Sequence, residues 1–281
     1  MKIITAIKEM QGYVKHNYRR GRKIALVPTM GYFHDGHVML IREARKLCDR
    51  LVVSIFVNPL QFGRGEDFAS YPRDMKRDLE LAKKEGTNVV FAPTADDFYP
   101  PGYSTFVEEE KLSKKLCGAF RPGHFKGVTT VVAKLFDSIR PHTAVFGQKD
   151  AQQVAIIRKM GRELNYPIHI VVIPTIREKN GLACSSRNEY LTSHERKEAA
   201  LLYASLQKAQ DMVKAGVRDA GTIAESIRAH LGGSPVIKPE YVELVNPDTL
   251  ERVPQIGERT LIALAAHVGK ARLIDNILIE P

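Results

Sequence analysis

PTMGYFHDGH, residues 28–37, lies between the apolar run KIALV (23–27) and the helical pattern VMLIREARKL (38–47). A chain leaving a buried strand here meets Pro28, which has no N–H to give to a ladder, and then Gly31 and Gly36, which permit close backbone approach. His34 and His37 stand where the next helix begins, and the first amides of a helix are unsatisfied donors. Imidazoles added to that helix start suit a phosphate undergoing substitution at phosphorus. A pair of surface histidines beside a turn is the plainer alternative. A zinc pair is a third, although H-x-x-H without a nearby Cys or Glu partner is a poor ligand set.

Working outward from this corner, short apolar runs alternate with helical patterns. KIALVP precedes HVMLIREARKLCD, LVVSIFVNP precedes PRDMKRDLELAKKEG, NVVFAP precedes a loop and a further helical region, TAVFG precedes AQQVAIIRKMGREL, and IHIVVIP closes the series. Such alternation predicts βαβ units: an α/β, Rossmann-like parallel sheet with helices on both faces, whose ligands sit beyond the carboxyl ends of the strands. After residue 180 the pattern changes. SHERKEAALLYASLQKAQDMVKAG reads as one long helix with Ala200, Tyr203, Leu206 and Ala209 on a stripe, and DAGTIAESIRAHLGG as a second helix. EYVELVNPDTLERV, RTLIALAAHVG and KARLIDNILIE then read as a small antiparallel sheet. The expected organisation is a catalytic domain over 1–180 and a smaller C-terminal α+β domain with antiparallel strands over 181–281.

Composition narrows the function classes. The 281 residues are 44% hydrophobic and 26% charged, with no apolar stretch near the roughly 18 residues of a membrane span. No export signal is read at the N-terminus, so a cytoplasmic location without membrane association is expected. Cys48, Cys117 and Cys184 are widely spaced, as in a reducing compartment. A net charge of +10 favours anionic partners, but most basic residues alternate with acids on helices and Trp is absent, which argues against nucleic acid.

Three further stretches follow strands. In FVNPLQF (56–62), Asn58 and Gln61 can donate to a carboxylate or hydroxyl without adding charge, while Asn-Pro is also an ordinary turn. In FGQKDAQQ (146–153), Lys149 offers a compact charge for phosphate oxygens, Asp150 a carboxylate for ribose or a metal, and Gln153 an amide one turn on; a helix-start salt bridge is the alternative. In CSSRNEYLTSHE (184–195), two hydroxyls and an arginine fork form a second phosphate clamp, though Ser-Ser-Arg is a common tripeptide.

Taken jointly, PTMG-x-x-H-x-GH, FVNP-x-QF, YPRD, FG-x-KD-x-QQ and SSRN, in this order, resemble the pantothenate synthetase (pantoate–β-alanine ligase) family. The resemblance runs over nearly the whole chain, and the H-x-GH element is shared with nucleotidylyltransferases and class I aminoacyl-tRNA synthetases. It implies an ATP-dependent ligase joining (R)-pantoate to β-alanine through pantoyl adenylate, releasing AMP and pyrophosphate. It assigns ATP contacts to Met30, Gly31, His34, His37, Gly147, Gln148, Lys149, Asp150, Ile176, Cys184, Ser185, Ser186 and Arg187, with His37 as the catalytic proton donor and His34 beside it at the phosphates; Lys149, by its charge, is expected to join them in catalysis. Gln61 and Gln153 are implied at the pantoate and β-alanine sites, and Asn58, by its own amide, is expected to bind substrate beside them. Mg²⁺ is expected mainly on ATP oxygens, with no residue predicted as its ligand and Asp74 and Asp78 only weak helpers. The resemblance also implies a homodimer and a mobile Ser-Ser-Arg lid. Two departures, Tyr32-Phe33 in place of Ala-Leu and Cys184 in place of methionine, are apolar exchanges that bear on packing and affinity.

Overall fold

A computed structural model describes residues 1–280. The chain divides into two compact units. The first comprises Met1–Lys114, Gly118–Gly147 and Ile156–Ile173; the second comprises Lys115–Cys117, Gln148–Ala155 and Pro174–Pro281. The main division thus falls at Pro174 rather than after residue 180, and two short segments of the earlier chain belong to the second unit.

The first unit carries β1 (Lys2–Ile4), α1 (Ile7–Tyr18), β2 (Ile24–Thr29), α2 (Asp35–Lys46), β3 (Arg50–Ile55), α3 (Met75–Lys84), β4 (Val89–Phe91) and the short α4 (Ala95–Phe98). The one-turn α5 (Cys117–Phe120), α6 (His124–Ile139), β5 (Thr143–Gly147), α7 (Ala151–Glu163) and β6 (His169–Ile173) follow, with Cys117 of α5 and residues 151–155 of α7 assigned to the second unit. All six strands are parallel, in the order β1-β4-β3-β2-β5-β6. Strand order therefore reverses at β2. The β2–β3 ladder runs from Ile24 to Thr29, whereas β2 pairs with β5 only through Ala25 and Leu26. At this switch point the carboxyl ends of β2 and β5 are not hydrogen-bonded to each other, which is where such sheets take ligands.

Local physics accounts for the elements. Ile24, Ala25, Leu26 and Val27 are fully buried, as expected of a central parallel strand covered on both faces. β1, only three residues long and mostly exposed, falls below what periodicity can detect. α6 contains VTTVV, a β-branched run that disfavours helix by propensity. Burial on nearly every face overrides that preference, and the Thr129 and Thr130 hydroxyls donate to the carbonyls of Phe125 (2.8 Å) and Lys126 (2.7 Å).

In the second unit the segment expected as one long helix is two, α8 (Ser193–Glu198) and α9 (Ala200–Lys214), followed by α10 (Ala220–Gly232). The buried stripe of α9 runs through Leu202, Leu206, Ala209 and Val213, leaving Ala200 and Tyr203 half-buried. β7 (Ile237–Val245), β8 (Thr260–Val268) and β9 (Ala271–Ile279) form the antiparallel sheet, with β8 central. Ile262, Leu264, Ala266 and Val268 of β8 share one hydrophobic core with Leu206 and Ala209 of α9 and Ile223 and Ile227 of α10.

Candidate active site

The histidine corner is held by one buried carboxylate. Beyond β2, Gly31 (φ 86°) and Tyr32 (φ 51°) both adopt the left-handed conformation. A Cβ on Gly31 would lie 2.9 Å from Asp78 Oδ2 and 3.0 Å from Ile55 Cγ2, so only glycine fits. Asp78, on α3, accepts the N–H groups of Tyr32 and Phe33, each at 2.7 Å. Burial pushes the Asp78 carboxyl above its ordinary value, and those two N–H groups offset only part of the rise. Thr29 completes the turn: its hydroxyl donates to Ser54 O (2.6 Å) and accepts from Gly31 N (3.1 Å).

Phe33, fully buried, fixes the start of α2, and the two imidazoles cap it. His34 Nδ1 accepts from Gly36 N (3.1 Å) and His37 Nδ1 from His34 N (3.4 Å), with ring centroids 4.0 Å apart. A ring nitrogen that accepts a backbone N–H carries no proton, so each neutral imidazole is the Nε2–H tautomer. Both rings therefore carry an N–H on the edge opposite the helix backbone, beside the positive end of the α2 dipole.

The turn after β3 is a single 3₁₀ turn, Pro59–Gln61. Asn58, expected at a substrate, is 1% exposed and committed to this turn: its Nδ2 donates to Gly127 O (3.0 Å) and to Gln61 Oε1 (3.1 Å). Gln61 Nε2 points to Met30 Sδ at 3.0 Å, which joins this turn to the histidine corner. Gly127 leaves no space for a Cβ against Leu60 and Gln61, so α6 presses directly on the turn. Three residues the motifs did not single out brace the same point. His124 Nδ1 donates to Gln61 O (2.7 Å), and Arg121 spans Gln61 O (3.4 Å) and both carboxylate oxygens of Glu66 (2.8 and 2.6 Å). Burial raises the Glu66 carboxyl, but the Arg121 hydrogen bond and charge outweigh it and leave it below its ordinary value. The stretch RPGH, with an arginine and a histidine flanking a turn, was the available cue.

The remaining site residues, apart from Gly147 at the end of β5, belong to the second unit. Asn276 of β9 clasps the Gln148–Asp150 turn: Nδ2 donates to Gln148 O (3.0 Å) and Lys149 O (2.9 Å), and Oδ1 accepts from Gln148 Nε2 (3.1 Å). Lys149 Nζ stands 3.8 Å from Asp150, an ion pair loose enough to admit another anion. Of the two adjacent glutamines, Gln152 is buried and spent on Cys117 N (2.9 Å) and Lys115 O (2.6 Å), while Gln153 is half-exposed.

The Ser-Ser-Arg turn also packs on β9. Cys184 N donates to Ile176 O (2.9 Å), so two of the residues expected at ATP are backbone neighbours. Ser185 Oγ caps the following turn by accepting from Arg187 N (3.3 Å). Asn188 Nδ2 donates to Ala183 O (3.1 Å) and Glu178 Oε1 (2.8 Å), and Glu178 is bridged to Arg196 (2.8 and 3.0 Å). Behind it, Arg177 forks onto buried Asp275 (2.6 and 2.9 Å).

Among the described residues there is no group of three or more His, Cys, Asp or Glu that could hold a metal ion. Asp74 and Asp78, the acids expected to help with Mg²⁺, do not fit that role. Asp74 caps α3 through Arg77 N (3.0 Å), and Asp78 holds the corner.

The family model for pantoate–β-alanine ligase matches residues 2–278. The chain belongs to that family. It is 51% identical to the pantothenate synthetase of Heliobacterium modesticaldum over 280 residues, covering 100% of both chains. It is 52% identical to that of Thermoanaerobacter sp. strain X514 over 278 residues, covering 99% and 98%. Among solved structures, the pantothenate synthetase of Thermus thermophilus has a TM-score of 0.95 at 39% identity over 100% of both chains. The pantoate–β-alanine ligase of Francisella tularensis, complexed with beta-gamma ATP and beta-alanine, has a TM-score of 0.83 at 33% identity over 99% and 97%. Pantoate–β-alanine ligases of this family thus share the parallel sheet and the small antiparallel sheet seen here.

Proposed function

We propose that the chain catalyses the ATP-dependent condensation of (R)-pantoate with β-alanine to (R)-pantothenate, a step in making the precursor of coenzyme A. The observation that carries the reading is the family match from residue 2 to 278, and the paired Nε2–H imidazoles at the end of β2 support the chemistry. A carboxylate and an amine do not condense in neutral water until the acid gains a leaving group. In the first step a pantoate carboxylate oxygen attacks the α-phosphorus of ATP; a P–O bond forms, the bond to the β-phosphate bridge breaks, and pyrophosphate leaves. In the second step the neutral amine of β-alanine attacks the acyl carbon, the C–O bond to AMP breaks, and the amine's proton goes to solvent or base.

Within this reading His37 and His34 donate Nε2–H to phosphate oxygens as charge develops, with His37 the proton donor. Lys149, Ser185, Ser186 and Arg187 neutralise the triphosphate; Met30, Gly31, Gly147, Gln148, Asp150, Ile176 and Cys184 line the nucleotide's place. Gln61 and Gln153 meet pantoate, and Asn58 acts through Gln61. ATP enters with its Mg²⁺ as substrate. The Ser-Ser-Arg turn serves as a lid that keeps water from the mixed anhydride. We further propose a cytoplasmic homodimer. The family resemblance supports the pairing, and light scattering tests it. No helix among the described residues is long and apolar enough to cross a membrane.

The test is to mix protein, ATP, Mg²⁺ and pantoate, then add β-alanine and follow AMP. A burst of pyrophosphate followed by AMP release that depends on the amine is expected. Retention of the nucleotidyl group on the product, with pyrophosphate as the sole leaving species, would overturn the ligase reading in favour of a nucleotidylyltransferase.

A further inference from the structure

The polarity of a glutamine at a binding site decides what it can recognise: its NH₂ donates to a carboxylate or hydroxyl oxygen, while its carbonyl oxygen repels a carboxylate. Nothing in a glutamine's own shape chooses between the two, so its neighbours must. Gln61 Oε1 is taken by an N–H of Asn58 at 3.1 Å, which turns the Gln61 NH₂ toward Met30 and the histidine corner. The choice is passed back to Asn58. Its amide has four hydrogen-bonding positions, and all four are used: Nδ2 to Gly127 O and Gln61 Oε1, Oδ1 from Leu60 N and the Tyr99 hydroxyl. On the Oδ1 side the Leu60 contact is long, 3.3 Å, whereas Tyr99 Oη donates at 2.9 Å.

We propose that Tyr99 is a positioning residue for recognition of the acid substrate: its hydroxyl pins the Asn58 amide, which holds Gln61 with its NH₂ turned to the substrate side. Tyr99 is suited to the task. Its ring is wedged against Phe98 (5.5 Å), Tyr103 (5.0 Å) and Phe56 (5.9 Å), with Lys134 Nζ 5.7 Å from its centroid. Burial, reinforced by Tyr103, pushes its hydroxyl well above the usual range, so it remains a donor at any working pH. Asn58 is 1% exposed, so no solvent replaces the bond once it is lost, and only the long Leu60 N–H then holds the amide oxygen, a weak brace against rotation. Rotation removes the N–H that holds Gln61 Oε1, and Gln61 then presents either end.

This inference rests on the reading that Gln61 contacts pantoate, and the experiment separates the two. Tyr99→Phe, Gln61→Ala and the double variant are assayed for steady-state AMP formation with pantoate and ATP varied in turn, after thermal melts confirm folding. Tyr99→Phe is expected to raise the pantoate KM about ten-fold, with kcat and the ATP KM within about two-fold of the parent. In the Gln61→Ala background, adding Tyr99→Phe is expected to raise the pantoate KM no further. An unchanged pantoate KM in Tyr99→Phe overturns the relay while leaving the Gln61 reading intact if Gln61→Ala still raises that KM. An undiminished effect of Tyr99→Phe on Gln61→Ala overturns it as well, since Tyr99 would then act by general packing. A pantoate KM unmoved by Gln61→Ala alone removes the underlying reading and the relay with it.

Discussion

The histidine corner and the Ser-Ser-Arg turn, both proposed to meet phosphate, are braced by opposite means. The corner depends on a carboxylate 45 and 46 residues away in sequence, Asp78, sealed from water at 1% exposure. The turn, although it packs on β9, draws side-chain hydrogen bonds from groups close in the chain: Asn188, Glu178 and Arg196 lie within 5 to 18 residues of their partners. Burial lifts the Asp78 carboxyl above its ordinary 3.8, whereas the Arg196 hydrogen bond, against a burial effect, holds Glu178 below its ordinary 4.5. A desolvated, non-local anchor gives a rigid corner able to keep two imidazoles in one tautomer. A charged, local anchor gives a turn that can be rebuilt without disturbing the sheet, which suits a lid.

The largest expected effect tests whether chemistry resides in the corner. His37→Ala should fold, melting somewhat lower because the α2 cap loses one acceptor, yet lose about 10²–10³-fold in pantoyl-adenylate formation, measured by pyrophosphate release. Parental turnover would remove His37 from catalysis. Asp78→Ala should destabilise the protein by about 3 kcal/mol in urea unfolding, because two buried N–H groups lose their acceptor. A change below about 0.5 kcal/mol would mean that the corner is braced elsewhere. Lys149→Ala should lower kcat/KM for ATP about thirty-fold, mostly through KM. A purely kcat effect as large as that of His37→Ala would place Lys149 in the chemistry rather than in ATP binding.

The smallest effect is the sharpest in sign. A carboxyl raised in the folded state contributes stability present below its ordinary 3.8 and lost as pH rises through the folded value; this is Asp78. One depressed in the folded state contributes stability present above its ordinary 4.5 and lost as pH falls through the folded value; this is Glu178. Glu178→Gln should therefore flatten the decline of stability below pH 4.5 at a cost under about 1 kcal/mol near neutrality. Asp78→Asn should flatten a slope of the opposite sign above pH 3.8. Slopes of the same sign in the two variants would show that the anchors are not electrostatically opposed.

Much of the fold was readable because burial on both faces leaves strands such as IALV and VVF almost purely apolar. The break between α8 and α9 was not, because Ala199 is an excellent helix former and no Gly or Pro marks the spot. The functional motifs stood out because they combine glycine, proline and polar groups just after strands. Their supports did not. Asp78 reads as one more acid on an amphipathic helix, and Asn276 as a polar residue in a strand; only folding brings them to Phe33 and Lys149. Asn58 shows the converse, since its place in a motif concealed that its amide faces inward.

The clasp of Asn276 on the Gln148–Lys149 backbone has a bearing on biogenesis. A ribosome makes Lys149 and then adds 127 more residues before the side chain that grips its carbonyl exists. Until that strand emerges, the cation proposed for the triphosphate lacks this clasp on its backbone, so a nascent chain can complete its parallel sheet well before Lys149 is held in place.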